Sequence, residues 1–432
     1  MNAPVGQAPD LEDQNAAAVL RARGFPVTDI QSLARDQNPF ARRTVSWKRV
    51  LVPGVSLMAR TVELADGFTN AFTLTVDLDR ARCRAASSPT GLHLRDLVHD
   101  DAVAAVSGSF SYISDDPAYQ PTEPCLDLAC RDGQITSLPT ATKPALLIHQ
   151  GRPLMRTLTA TGTLAIAGRS HTWTGSKHPQ PPDQPGHLTV YGAANCRVRY
   201  RDNSRTRFLR DVDPVTNTTP HTPDALDCTI TATANGLRIT AVQPGGGADL
   251  FAGAFILRAH RPWPSHLVHG APIHVTSIDT LRAGDLQSAL SLGPSTADAA
   301  AGRTQSWDQS LGTSPFRPTA RYARTLLALH DTKLHLQALD GAPLTSTFQG
   351  ATPQETADLC TEAGLDPTQV FHLDGGQTAK IAYTQEHQDP DVVGSLHYLQ
   401  WPATDDAPFR WRGLNGRLLR SAVVITVPEE LR

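Results

Sequence analysis

The stretch TPQETADLCTEAGLDPTQVFHLDGGQTAK, residues 352–380, carries both kinds of regular structure in one run. Thr352 suits a helix N-cap and Pro353 the first turn. Glu355 is the capping-box acid three residues on, and Gly364 suits the C-cap. The helix leads into the apolar run Val370–Leu373, then Asp374, then two glycines. A helix feeding a strand that ends on a carboxylate reads as an α+β unit. Asp374 is then either a catalytic or ligand-holding acid at a strand end, or the polar half of a tight turn.

Outward from this unit, strands dominate the reading. SLMARTVEL (56–64), FTLTVDL (72–78), ALLIHQG (145–151), LTATGTLAIAG (158–168), HLTVYG (187–192), LDCTITATANGLRITAV (226–242) and KLHLQALDG (333–341) alternate apolar and polar residues between Gly, Pro, Asn or Asp. Asn235-Gly236 carries the signature of a type I′ hairpin turn. Helical patterns are few: besides Thr352–Gly364, Leu92–Asp101 and a segment around Asp13–Arg23 are candidates. With 33 Pro and 31 Gly the chain favours short strands and turns over a helical bundle. The expected fold class is therefore α+β, with mixed, largely antiparallel sheets and few helices. Residues 1–49 read as a loosely packed N-terminal extension, and 50–432 as one domain with a Pro-rich surface loop, SKHPQPPDQPGH, at 176–187. A chain of 432 residues is long enough for a sizeable core.

Charge and composition exclude several functions. The net charge is −3, from 39 Lys and Arg against 42 Asp and Glu, with no basic stripe interleaved with aromatics, so nucleic acid is not an expected partner. No window approaches the roughly 20 apolar residues of a membrane span, and the start has no basic region followed by an apolar core. A cytoplasmic, soluble protein without membrane contact is expected. Six cysteines, spread apart except for CLDLAC (125–130), read as buried reduced thiols.

Common catalytic signatures are missing. PGGGAD (244–249) lacks the lysine and hydroxyl of a phosphate loop and reads as a turn. There is no G-x-S-x-G and no H-E-x-x-H. The 16 histidines fall into no ligand spacing, so neither a metal nor another cofactor is expected. Asp115 and Asp116, before a proline, read as turn residues.

Four features remain: AAVSGSFSYI (104–113), RYARTLLALH (321–330), HLDGGQT (372–378) and RLLRSAVVITV (417–427). Their order resembles the phosphodiester glycosidase family, the uncovering-enzyme-like domain. That family runs a strand into N-G-G-F-F, then P-R-T and a strand, a D-G turn, S-x-G-x-T opening a helix, L-D-G-G-G-S, and an Arg before the last strand. Here VPGVSLMARTVEL matches the opening strand, VSGSFSY the Asn-Gly motif, KPALLIHQGRP the next strand and turn, and ALSLGPSTADA a Gly-Pro segment. Ala323-Arg324-Thr325 matches P-R-T, Asp340 the D-G turn, 348–378 the helix and acidic loop, and Leu419-Arg420-Ser421 the final Arg. The matches run from about Val52 to Val427. Ser107 stands where the family has Asn, Ser109 for its second Gly, Ser111 for its second Phe, Ala323 for Pro, Phe348 for Ser and Gln377 for its third Gly.

The resemblance implies a hydrolase acting on a glycosidic phosphodiester or a related phosphorylated sugar conjugate, small or oligosaccharide. Such chemistry needs charge stabilisation at the phosphate and at least one carboxylate to deliver water or stabilise an oxocarbenium-like centre. Asp374 suits the carboxylate, as acid/base or electrostatic stabiliser, with Asp340 as a second acid. Arg324 and Arg420 suit the phosphate, since planar guanidinium groups pair with its oxygens. Thr325, Ser107, Gly108, Gln377 and Thr378 would line the substrate, and Gly375 and Gly376 suit an anion nest. The alternative is a non-catalytic carbohydrate- or sugar-phosphate-binding protein of the same fold. A third reading is a β-rich partner-binding protein using its Pro-rich loops.

Overall fold

The computed structural model describes residues 45–111, 127–149, 152–178, 187–200, 212–304, 316, 318–341, 350–385, 389–394, 399–400, 410–411 and 419–429. The fold is β-rich and not α+β, which corrects the expected class. Among the described residues there are two α-helices, α1 (Thr296–Ala300) and α2 (Pro353–Glu362). The remainder is built on three sheets, a closed barrel and two two-stranded pairs, Arg197–Tyr200 with Val212–Thr216 and Leu399–Gln400 with Arg410–Trp411.

The first sheet runs in the order Ser46–Val52, Val55–Glu63, Phe68–Asp77, Lys333–Leu339, Arg324–His330, Val370–Leu373, all antiparallel. The second runs Asp391–Gly394, Lys380–Tyr383, Ala102–Ser107, Leu419–Thr426, Arg82–Leu92, also antiparallel. The third runs Gln134–Ser137, Ala129–Arg131, Leu286–Ser291, Lys143–His149, Arg152–Leu158. In the barrel, seven strands pair in the order Thr161–Ile166, Arg169–Gly175, Leu188–Tyr191, Phe255–His260, Ala225–Thr233, Gly236–Pro244, Pro272–Ile278. The last then pairs with the first and closes the ring.

Period-2 alternation sorts these strands into two large cores. On the third sheet Leu146, Ile148, Leu290 and Leu292 face a core shared with the first and second sheets, built around Leu57, Phe72, Leu74, Leu327, Leu336, Leu373, Val106 and Val423. Ala145, Leu147, Ala289 and Leu286 point the other way, into the barrel interior with Trp173, Leu188, Ile230, Phe255 and Val275. The central strands of the third sheet, Lys143–His149 and Leu286–Ser291, are thus buried on both faces, while its edge strand Arg152–Leu158 is largely open. Each of the sheet's fully buried leucines contributes about 1.5–3 kcal/mol of apolar burial.

On the outer face of the first sheet, Leu326, Ala328, Leu339 and Val370 pack against Leu359 and Cys360 of α2. On the outer barrel face Asp227 takes two hydrogen bonds from Arg258, at 2.7 and 2.9 Å, and a third from Thr219, and all three residues are buried. Arg258 also donates to Pro220 O at 2.6 Å.

The α+β expectation failed for a physical reason. The capped helix has the strongest local signal in the chain but is short, and Leu92–Asp101 forms a 3₁₀ turn over Leu94–Leu97 instead of an α-helix. Barrel closure depends on a pairing between Thr161–Ile166 and Pro272–Ile278, which alternation within either strand cannot reveal. The Asn235-Gly236 hairpin forms, but Asn235 is not left-handed and Gly236 sits at φ +98°. With Thr233 paired to Gly236 and no positive φ at Ala234 or Asn235, the two-residue turn is not type I′. The five described cysteines are free and buried, while Cys125 lies outside the described residues, as do Asp13–Arg23, Asp115, Asp116 and Phe348. Of the Pro-rich stretch 176–187, residues 179–186 lie outside them as well. No helix among the described residues is long and apolar enough to cross a membrane.

Candidate functional site

The strand that carries Asp374 is positioned by α2. Thr352 accepts from the Glu355 N–H at 3.2 Å and Glu355 accepts from the Thr352 N–H at 2.9 Å, closing the capping box. Arg321 adds two bonds to Glu355, both 2.9 Å. Burial alone would raise the Glu355 carboxyl, but the Thr352 N–H, Arg321 and the Thr352 hydroxyl outweigh it and hold it low. At the other end Gly364 donates to Thr361 O and Leu365 to Cys360 O, both 2.9 Å, the paired bonds of a Schellman motif. Gly364 is left-handed there, at φ +75°, and turns the chain toward Val370.

Val370–Leu373 pairs with Arg324–His330, so that Leu326 stands opposite His372 and Thr325 opposite Leu373. Beyond the strand end the pairing continues: the Gly376 N–H donates to Ala323 O at 2.8 Å, and a Cβ on Gly375 would lie 2.7 Å from that same oxygen. The register extended by one residue sets Asp374 opposite Arg324. Directly paired residues share a face, so both side chains stand on the α2 side of the sheet.

Two strands of the second sheet reach this corner. The Asp374 N–H donates to Gly108 O at 2.9 Å and the Gly108 N–H to Ser421 O at 3.0 Å. The Ser107 hydroxyl donates to Thr378 O. The Thr378 hydroxyl returns to Gly375 O at 2.8 Å, inside the 3₁₀ turn Gly376–Thr378. Direct hydrogen bonds therefore join four segments: 107–108, 323–324, 374–378 and 420–421. They hold Ser107, Gly108, Arg324, Asp374, Gly375, Gly376, Gln377, Thr378 and Arg420, with Gln377 placed by its backbone, whereas Thr325, paired with Leu373, lies on the opposite face of the sheet. Asp374, Arg324 and Arg420 are buried, at 8%, 3% and 5% exposure.

Several groups are committed within the protein. Arg324 donates through Nε to Ala351 O at 2.8 Å and through Nη2 to Ala320 O at 3.0 Å. Burial pushes its guanidinium down to about 9, against a smaller upward pull from Glu355, so it remains a cation at neutral pH. The Gly375 N–H donates to Asp374 Oδ1 at 2.9 Å and the Gly376 N–H to Ala323 O, so both expected nest donors are engaged.

Asp340 lies further away. It follows the strand Lys333–Leu339, with the whole Arg324 strand between it and Asp374, a backbone separation of roughly 10 Å at ordinary strand spacing. It is fully buried, with Oδ1 on the Gly341 N–H at 2.9 Å and its carbonyl on the Thr69 hydroxyl at 2.8 Å. Thr325 is also fully buried, and its hydroxyl has no hydrogen-bond partner among the described residues.

His372 belongs to the same face as Arg324 and Asp374, although in the sequence it stands as one of many solitary histidines. Alternation could have found it, because it precedes Asp374 by two residues in a strand. It is buried, its ring meets Phe316 edge-on with centroids 5.3 Å apart, and Nε2 has no hydrogen-bond partner among the described residues. Burial and the Arg324 charge hold it well below the usual imidazole range, so it is neutral. Lys380, buried on the second sheet, was likewise not singled out. Among the described residues no group of three or more His, Cys, Asp or Glu could hold a metal ion.

No family model matches the chain, and no curated protein does. Solved structures align with it over most of its length. A hypothetical protein from Synechocystis aligns over 90% of this chain with a TM-score of 0.52 at 14% identity, a likeness of fold alone. This chain spans 65% of that protein's length. A Burkholderia pseudomallei protein described as exported aligns over 84% of this chain and 74% of its own, at 17% identity and a TM-score of 0.47. The catalytic domain of zebrafish N-acetylglucosamine-1-phosphodiester α-N-acetylglucosaminidase, auto-inhibited by its pro-peptide, aligns over 92% and 93% at 11% identity and a TM-score of 0.40.

Proposed function

We propose that this protein hydrolyses a glycosyl phosphodiester or a related phosphorylated sugar conjugate, with Asp374 as the working carboxylate and Arg324 and Arg420 drawing the phosphate. One observation carries the reading: the four segments singled out by motif order are joined by direct hydrogen bonds at one corner, through Asp374 N–H to Gly108 O, Gly108 N–H to Ser421 O and Gly376 N–H to Ala323 O. A carboxylate that the extended strand register sets opposite a buried guanidinium suits a substrate with an anionic leaving group. The cation offsets charge on the departing phosphate while the carboxylate orients water or stabilises positive charge at the anomeric carbon. With two donors on main-chain carbonyls, Arg324 acts chiefly as a fixed charge.

The test is sugar release from UDP-N-acetylglucosamine and UDP-glucose by the wild type and by Asp374→Asn. Loss of the carboxylate should lower turnover by about 10²–10⁴-fold, the usual weight of such a group. Equal background rates from both proteins would sink the enzymatic reading. A second reading, binding without turnover, is favoured by one detail: the Ser107 hydroxyl is spent on Thr378 O and not held toward a ligand. Calorimetric binding of glucose 1-phosphate without sugar release from either diester would select it.

A further inference from the structure

His372 is one of three residues at this corner, with Ser109 and Thr325, whose buried side-chain polar atom has no hydrogen-bond partner among the described residues, and of the three it alone carries a ring nitrogen. Its main chain is clamped, with the N–H on Pro294 O at 3.0 Å and the carbonyl on the Gly293 N–H at 2.7 Å. Its ring packs on Phe316, which in turn meets Phe110 edge-on at 6.3 Å. Nothing in this packing requires a nitrogen. A phenylalanine would fill the same space, yet the chain keeps a buried Nε2 with no hydrogen-bond partner among the described residues. Such atoms weaken a fold and are rare in native proteins, so each calls for an explanation outside packing.

The neighbours supply one. His372 and Asp374 are two residues apart on one strand face, about 7 Å along it. Arg324 stands across from Asp374 in the extended register. That the Arg324 charge bears on the imidazole is a second sign of their nearness. A neutral imidazole near a guanidinium, and two residues from a carboxylate on the same strand face, offers one uncharged hydrogen-bonding atom, which suits a hydroxyl better than a phosphate oxygen.

We propose that His372 is a ligand-contacting residue of this same site, its Nε2 hydrogen-bonding a hydroxyl of the bound sugar and so fixing the ring relative to Asp374. The inference rests on reading the corner as a sugar-phosphate site. It divides recognition between the sugar at His372 and the phosphate at the arginines.

The experiment compares wild type, His372→Phe, His372→Gln and Asp374→Asn in three measurements: thermal melting, sugar release from UDP-N-acetylglucosamine, and calorimetric binding of glucose 1-phosphate. His372→Phe should melt at or above the wild-type temperature while kcat/KM falls and Kd rises by about tenfold, the weight of one hydrogen bond. His372→Gln, whose amide reaches the position of Nε2, should recover part of that loss. A purely structural histidine would give the reverse pattern, a lower melting temperature with wild-type affinity, and that result overturns the inference.

The two proposals fail separately. If Asp374→Asn abolishes turnover but His372→Phe keeps wild-type kcat/KM and Kd, the enzymatic reading stands and the role of His372 is refuted. If the wild type turns nothing over, binding decides for His372. Weakened glucose 1-phosphate binding by His372→Phe upholds it, while unchanged binding, or none by the wild type, overturns it.

Discussion

Gly108→Ala tests whether the corner is one rigid unit. Gly108 directly follows the central strand of the second sheet, and its carbonyl accepts from the Asp374 N–H of the acidic loop. A Cβ placed there would lie 2.5 Å from Ser421 Oγ, 2.6 Å from the Ser421 carbonyl carbon and 2.7 Å from the Ala422 nitrogen. Ordinary carbon contacts begin near 3.5 Å, so something must move by close to 1 Å. The serine hydroxyl can rotate away, but the two backbone atoms cannot, because Ala422 is paired with Ser107 in the sheet. Overpacking of this kind costs about 1–3 kcal/mol. The same shift acts on Gly108 O, which accepts from the Asp374 N–H, so the carboxylate moves with it. A misplacement of about 1 Å lowers turnover by roughly 10²-fold. The assays are urea unfolding and sugar release, with Gly284→Ala, where a Cβ meets nothing within 4 Å, as the control. Wild-type stability and wild-type turnover in Gly108→Ala would refute the claim that this contact sets the site.

Further outcomes follow from groups outside the corner. Glu355 is held below its ordinary range in the folded state, so its contribution is fully present above the unfolded value of about 4.3 and is lost as pH falls through the folded value. Unfolding free energies measured from pH 6 to 3 should therefore fall less steeply below about pH 4 in Glu355→Gln, while Thr352→Ala should cost about 1 kcal/mol at neutral pH. On the barrel, Asp227→Ala strands a buried guanidinium and should cost about 3–5 kcal/mol in chemical denaturation. Asp227→Leu combined with Arg258→Met should recover most of that loss, and no recovery would argue that the pair does more than neutralise itself.

What was legible in the sequence was local. The capping box of Thr352 and Glu355, the Gly364 turn and the strand into Asp374 depend on residues within a few positions of one another, and the structure has all of them. The alternation that marked strands was also sound at the level of single strands. What it could not give was their assembly. Closing the barrel takes a pairing between strands more than 100 residues apart, and the α+β expectation came from weighting one well-signalled helix over many anonymous strands. The gap between Asp340 and Asp374 is likewise a matter of sheet order, with the Arg324 strand in the middle. His372 lay within reach of sequence reasoning, through the two-residue spacing from Asp374, but a solitary histidine gives no signal until its neighbours are known.

The third sheet also bears on how the molecule comes apart. The chain leaves this sheet after Leu158, builds the barrel from Thr161 to Ile278, and re-enters at Leu286. In sequence the barrel is an insertion, the kind of segment that often melts or can be excised independently. Here excision would strip the cover from Ala145, Leu147, Leu286 and Ala289, and expose one face of a sheet whose other face supports the Asp374 corner. Barrel and corner should therefore lose protection against hydrogen exchange together, as one cooperative unit.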